Sequence, residues 1–391
     1  MSDIQKNNRP NVPNLRFPEF SGEWKKSILK AECEINPKTG PLADTFQYID
    51  LESVVKGQLI KVNYLKKEDA PSRAQRVLSK WDILYQCVRP YQLNNFLVRD
   101  NSSTQRVAST GYAQIRTNNN PDFFFQLLHT QKFTGRVINR CTGTNYPAIN
   151  STDLSEIEIN IPEIKEQEKI GRMLSLIDQR IAIQNRLIED LKKLKTALED
   201  TCFYNCGGKQ VCLRDILVER GERSNRNNQY EVLSSTVEGI YSQREYFKKE
   251  IASADNAGYK VIHLGDIVLS PQNLWMGNIN YNDRFSIGIV SPSYKVFSIK
   301  PTFDEQFVAS ILKTKRALWK YSLVSEQGAS IVRRNLNMKD FYEISFAIPS
   351  LEKQRRIGEG ISSIRDKIRL EQSYLNILNS HKSYLLSKMF I

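Results

Sequence analysis

The sequence has no apolar run approaching the ~20 residues of a membrane span, and its first ten residues carry Lys6 and Arg9 rather than a hydrophobic leader. That predicts a cytoplasmic chain with no membrane partner. Cysteine is scarce: Cys33, Cys87, Cys141, Cys202, Cys206 and Cys212 are too few and too irregular over 391 residues for a disulfide framework, so reduced thiols are expected. Cys202, Cys206 and Cys212 offer three ligands with no nearby histidine, which argues against zinc. The three histidines, His129, His263 and His381, lie far apart, and packing or surface roles are expected of them. No Pro-Pro dipeptide occurs, which removes the catalytic loop expected of an adenine methyltransferase acting on a flipped base. Gly207-Gly208-Lys209 lacks the spacing of a phosphate-binding loop and is followed by Gln210. Glu163 and Lys165 resemble half of a nuclease site but have no companion aspartate, so a solvated helix terminus is expected there. No catalytic and no metal-ligating residue is therefore assigned.

What is present is a globular composition, 40% hydrophobic and 25% charged, with an excess of base over acid that gives +13. A polyanion is the leading partner class for that charge. The excess is unevenly placed: residues 161–208 hold eight basic and eight acidic residues, so the surplus lies outside that stretch.

An internal repeat decides the architecture. Ile161-Pro162-Glu163-Ile164-Lys165-Glu166-Gln167-Glu168-Lys169-Ile170-Gly171 returns as Ile348-Pro349-Ser350-Leu351-Glu352-Lys353-Gln354-Arg355-Arg356-Ile357-Gly358. Beyond each glycine, Leu174, Ile177, Ile181, Ile188, Leu191 and Leu198 match Ile361, Ile364, Ile368, Leu375, Leu378 and Leu385 at the same offset of 187. Steps of mostly three, four and seven are helical, with Pro162 and Pro349 suited to a first turn. Helices of about 40 residues, or ~60 Å, need a partner along their apolar seam, and each is the other's natural partner. If the segment between them has neighbouring ends, the pair is antiparallel.

The predicted organisation is α+β: two α/β domains separated by a long antiparallel two-helix coiled coil, with pseudo-two-fold symmetry. The boundaries are 1–160, a first domain; 161–206, a central helix; 207–347, a second domain; and 348–391, a C-terminal helix. The domains echo each other. Leu78-Ser79-Lys80-Trp81-Asp82-Ile83-Leu84 resembles Ile262-His263-Leu264-Gly265-Asp266-Ile267-Val268, and Pro90 or Pro271 follows. Glu156–Ile159 and Tyr294–Ile299 read as strands, and helical stretches are expected around Phe123–Phe133 and Glu305–Lys320. Asp82 and Asp266 read as strand or turn residues.

The opening Val12-Pro13-Asn14-Leu15-Arg16-Phe17-Pro18-Glu19-Phe20-Ser21-Gly22-Glu23-Trp24 and the doubled Ile-Pro-x4-Gln-x2-Ile-Gly resemble type I restriction-modification specificity subunits, as does Tyr230–Tyr241. The resemblance implies two target-recognition domains, each reading one half of a split double-stranded DNA site. It further implies helices that bind two modification subunits, with restriction/translocase subunits joining the complex. No cofactor is expected on this chain; S-adenosylmethionine, ATP and Mg are expected on the partners. The rival readings are a self-contained DNA methyltransferase or nuclease, and a basic scaffold for RNA or protein.

Reading DNA calls for Arg or Lys toward guanine and phosphate, and Asn or Gln toward adenine. The candidates in the first domain are Arg89, Tyr91, Gln92, Asn94, Asn95, Thr144, Asn145 and Tyr146. In the second they are Gln272, Asn273, Trp275, Ser330, Arg333, Arg334 and Asn335.

Overall fold

The computed structural model describes residues 11–246, 255–327 and 333–391. They form two compact units, one made of the chain up to Arg186 with Ser373–Ile391, the other of Leu187–Gln372. Two long helices, Ile164–Tyr204 and Leu351–Met389, each give one portion to either unit. The compact units therefore divide within the helices, where the sequence reading placed its boundaries at the helix ends.

Inside the first unit the helices run antiparallel. Asp178 pairs with Lys382 at 2.5 Å, and Arg180 lies 5.8 Å from the Tyr374 ring, so later residues of one helix meet earlier residues of the other. In the second unit Lys353, at the start of one helix, donates to the carbonyl of Cys206, just past the end of the other, and Leu198 and Cys202 share a groove with Ile357, Ile361 and Ile364. Of the seam residues, Leu174, Ile188, Ile361 and Leu375 are buried, and the rest are half-buried.

Each unit builds the same core. In the first, Lys25–Ile28 pairs with Glu158–Ile161, Lys25 opposite Ile161. In the second, Lys209–Cys212 pairs with Ser345–Ile348, Lys209 opposite Ile348. A four-stranded sheet follows in matching order: Cys33–Ile35, Tyr112–Thr117, Ile83–Gln86, Phe96–Leu97 in one unit, and Leu217–Glu219, Lys295–Ile299, Ile267–Leu269, Ile279–Tyr281 in the other. The first unit adds a second sheet, ordered Asn63–Lys66, Thr45–Ile49, Arg106–Ser109, Ala74–Val77.

The single helical stretch expected in each domain is a pair of short helices, Pro121–Leu127 and Gln131–Ile138, matched by Glu305–Ile311 and Lys315–Leu323. Caps explain the break. Thr130 and Thr314 accept from the N–H groups of Phe133 and Ala317, starting a new helix where the previous one ends.

The repeated motif has a physical basis in this arrangement. Gln167 donates to the Pro162 carbonyl and accepts from the Asn120 N–H; Gln354 does the same with Pro349 and Asp304. Asn120 and Asp304 cap the short helices that follow them. A Cβ on Gly171 would lie 2.6 Å from Asn120 Oδ1, and one on Gly358 2.5 Å from Asp304 Oδ1, so only glycine lets helix and cap approach. The expectation that Pro162 and Pro349 open the helices is corrected: the helices begin at Ile164 and Leu351, and the prolines precede them as acceptors for the glutamines.

The opening motif folds into the first unit. Arg16 pairs with the fully buried Glu166 at 2.7 Å, the Leu15 N–H donates to the Lys388 carbonyl, and buried Trp24 meets Phe123 and Phe390 edge-on.

Candidate nucleic-acid interface

In the first unit the chain leaves Ile83–Gln86 and makes one helical turn, Pro90–Gln92, bracketed by Arg89 and Leu93 at φ +53° and +55°. Two non-glycine residues in the left-handed region need outside support. Buried Gln86 gives it: its amide donates to the Val88 carbonyl and to Gln92 Oε1, and its Oε1 accepts from the Asn94 N–H. Asn94 Oδ1 accepts from the Lys56 N–H. Asn95 was expected to read DNA, but it is buried, its Oδ1 accepting from the Gln86 N–H and its amide 3.5 Å from His129 Nε2. Its polar atoms hold the loop rather than face solvent.

A second loop closes onto the first. Ala148 bridges both Val88 and Thr142, and the Arg89 N–H donates to the Pro147 carbonyl. The Arg89 guanidinium lies 4.3 Å from the Tyr146 ring centroid. Tyr91, Gln92, Thr144, Asn145 and Tyr146 are exposed around it.

The second unit repeats the layout. After Ile267–Leu269 the chain makes the turn Leu274–Met276, which Gly277 closes at φ +93°. The Arg334 N–H donates to the Gln272 carbonyl, and its guanidinium lies 4.2 Å from the Trp275 ring. Gln272, Arg333 and Asn335 are exposed alongside, while Asn273 Oδ1 is buried with no hydrogen-bond partner among the described residues. Ser330 lies outside the described residues.

A buried aspartate precedes each strand that leads into the loops, at the strand's other end: Asp82 ahead of Ile83–Gln86 and Asp266 ahead of Ile267–Leu269. Asp82 accepts from the Ser79 N–H, from Gln114 and twice from Arg116; Asp266 accepts from the His263 N–H and pairs with Arg220 at 2.8 Å. Burial raises the pKa of Asp266 despite Arg220. Both aspartates pin a turn ahead of a strand, as their sequence positions suggested. Gln86, which braces the first loop, and Arg116, which holds Asp82, were missed: an amide that bonds within its own loop looks like any other polar residue of the run, and the partner of Arg116 is distant in the chain.

The exposed set offers guanidinium, amide and hydroxyl donors with an aromatic support, which suits polar base edges and phosphates. Among the described residues, no group of three His, Cys, Asp or Glu side chains could hold a metal ion, and no helix is long and apolar enough to cross a membrane.

The family described as Type I restriction modification DNA specificity domain matches this chain twice, over residues 56–193 and 209–380. The chain is 27% identical over 163 residues to the type I restriction enzyme HindI specificity subunit of Haemophilus influenzae, covering 40% of this chain and 35% of that one. It is 22% identical over 275 residues to a putative type I restriction enzyme MjaX specificity subunit of Methanocaldococcus jannaschii, covering 62% and 60%. The chain thus spans about a third of one curated relative and three fifths of the other. Its fold resembles the type I restriction-modification S subunit from M. genitalium, with TM-score 0.62 at 16% identity over 97% of this chain and 99% of that one. It also resembles a chain solved in work on complex assembly and conformational transition of the type I R-M system, with TM-score 0.51 at 20% identity over 94% and 97%. The doubled match covers most of the chain and falls on both units, and the chain belongs to the type I restriction-modification DNA specificity domain family.

Proposed function

We propose that this chain reads a bipartite double-stranded DNA site as the non-catalytic specificity subunit of a type I restriction-modification complex, one half-site per unit. The observation that carries the reading is the recurrence of one loop pair, a guanidinium over an aromatic ring among exposed polar side chains, at the end of the equivalent strand in both units. Adenine methylation with S-adenosylmethionine belongs, on this reading, to two modification subunits, and ATP- and Mg-dependent restriction to further subunits. The long helices supply a surface for such partners: Leu176, Ile183, Leu187 and Leu194 on the first, and Leu370, Ile377 and Tyr384 on the second, are apolar yet exposed, at spacings of four and seven.

Selection from a randomised duplex library by the purified chain tests the DNA reading: a split motif is expected. Exchanging residues 1–160 for those of a relative should change one half of that motif. Both halves changing together, or RNA competing as well as duplex, would defeat the reading.

A further inference from the structure

Each unit carries a short hairpin against the end of its reading loop, and the two hairpins come from related sequence. Leu51-Glu52-Ser53-Val54-Val55-Lys56-Gly57 and Leu233-Ser234-Ser235-Thr236-Val237-Glu238-Gly239 share Leu, Ser, Val and Gly at one spacing. In the first unit Val55 pairs with Gln58, so Lys56 and Gly57 form the turn. In the second, Ser235 pairs with Ile240 and the Thr236 N–H donates to the Gly239 carbonyl, so Val237 and Glu238 form it.

Direct contacts seat both turns on the residues that end the loops. The Lys56 N–H donates to Asn94 Oδ1 at 3.1 Å, and a Cβ on Gly57 would lie 3.5 Å from Phe125 Cζ and 3.8 Å from the Asn95 carbonyl oxygen. In the second unit Asn278 directly follows the Gly277 that closes the Leu274–Met276 turn. Its Oδ1 accepts from Ser235 Oγ at 2.8 Å, and its amide donates to the Ser235 carbonyl at 3.0 Å. Lys313, at the junction of Glu305–Ile311 and Lys315–Leu323, donates to the Val237 carbonyl at 2.9 Å. Phe125 lies in Pro121–Leu127, the first of the equivalent helix pair. Each turn is thus held between a loop end and the short helices.

The turns present opposite charges. Lys56 and Glu238 are exposed, and neither side chain has a hydrogen-bond or ion-pair partner among the described residues. Lys56 stands at φ +47°, in a turn whose left-handed backbone favours asparagine or glycine, so its long cation does nothing for the turn itself. A carboxylate at a DNA surface is repelled by phosphate and gains only against a base that offers a donor. A frame that repeats while its exposed charge inverts is what two unlike half-sites call for. Resting on the DNA-reading role proposed above, we infer that the hairpins are a third element of the two reading surfaces and that each sets one base. Lys56 donates to guanine O6 or N7 in one half-site, and Glu238 accepts from the N4 amine of cytosine in the other.

The test uses the full chain carrying Lys56→Ala or Glu238→Gln, with thermal melting, duplex binding and selection from a randomised duplex library. Both residues are exposed in turns, so melting should match the parent. Lys56→Ala should lower affinity about tenfold and relax one position of one half-motif, a guanine in the parent. Glu238→Gln should redirect one position of the other half-motif from cytosine toward adenine, because a glutamine amide pairs with adenine N6 and N7. Unchanged motifs would overturn the inference. So would a loss from Lys56→Ala that is uniform across sequences, which marks a phosphate contact, or changes by both variants in the same half-motif. A steep fall in melting temperature would overturn it as well, by marking the charges as structural. If the parent selects no motif, the DNA-reading role itself fails; if the parent selects one and the variants keep it intact, only this inference does.

Discussion

The Arg89 guanidinium lies 4.3 Å from the centre of the Tyr146 ring, and the second unit keeps that pairing with its members exchanged between loops. There the early loop supplies the ring, Trp275, and the late strand supplies the cation, Arg334, at 4.2 Å. A different change occurs at the other end of the strands that lead into the loops: Asp82 takes its guanidinium from Arg116 on Tyr112–Thr117, whereas Asp266 takes Arg220, next to Leu217–Glu219 on the neighbouring strand of the equivalent sheet. In the loops the contact is preserved while its members trade places; at the aspartates the acid stays and only the cation changes strand.

A first prediction follows from the pair's dual role in fixing the loops and presenting charge. Arg89→Ala and Tyr146→Ala should each weaken duplex binding by the purified chain, and a double-mutant cycle should show them coupled by about 0.5–2 kcal/mol. Strictly additive losses in binding assays would separate the ring from the cation and remove the basis for treating them as one element.

The exchange also explains what could be read in the sequence. The helix starts were legible because Gln167, Gln354, Gly171 and Gly358 each perform a contact no other residue type performs as well, so the letters repeat. The reading loops were legible as runs but not residue by residue. Gln92, Asn94 and Asn95 look like DNA readers by composition, yet their polar atoms bond with Gln86, Lys56 and one another's loop. Amide side chains serve a base edge and a backbone N–H equally well, and only the fold decides which they meet. Arg116 and Arg220 could not be matched in sequence at all, since adjacency across a sheet leaves no fixed spacing in the chain.

A second prediction concerns the glycines. A methyl at Gly171 would sit 2.7 Å from the Phe123 N–H nitrogen as well as 2.6 Å from its cap oxygen, and at Gly358 2.8 Å from that of Phe307 and 2.5 Å from its cap. Both neighbours are held by helix geometry, so neither yields cheaply. Gly171→Ala and Gly358→Ala should each destabilise by at least about 2 kcal/mol, from overpacking together with a loosened cap. Gly360→Ala, where nothing lies within 4 Å, should be neutral or slightly stabilising. Equal unfolding midpoints for all three in denaturant would contradict the close approach.

The third prediction is a pH dependence centred on His129. Its Nδ1 donates to the Phe125 carbonyl at 2.6 Å; burial, reinforced by Lys382, lowers its pKa from 6.5 to about 4. The folded chain therefore keeps the ring neutral where the unfolded chain takes up a proton. This contribution to stability is fully present above pH 6.5, is lost progressively as pH falls toward about 4, and changes no further below that. At ~1.4 kcal/mol per unit the loss is at most about 3.5 kcal/mol. His129→Asn should flatten that part of the stability profile measured by chemical denaturation between pH 7 and 4, and an unaltered slope would place the titration elsewhere.

The last prediction separates the helices' two apolar faces. Leu174 is fully buried, whereas Leu176 and Ile183 are 55% and 69% exposed on the same helix. Leu174→Asp places a charge where no partner exists and should cost several kcal/mol, enough to unfold a chain of ordinary stability. Leu176→Asp and Ile183→Asp put charge where water already reaches, so stability should move by less than about 0.5 kcal/mol. If the exposed stripe receives a modification subunit, these two variants should melt normally and bind duplex DNA as the parent does, yet fail to co-purify with that subunit. A bound modification subunit desolvates the stripe, and an introduced carboxylate then carries the cost it avoided in the free chain. Recovery of the complete complex from both variants, with melting unchanged, would show that the stripe lies outside the contact and that partner docking uses another surface of the chain.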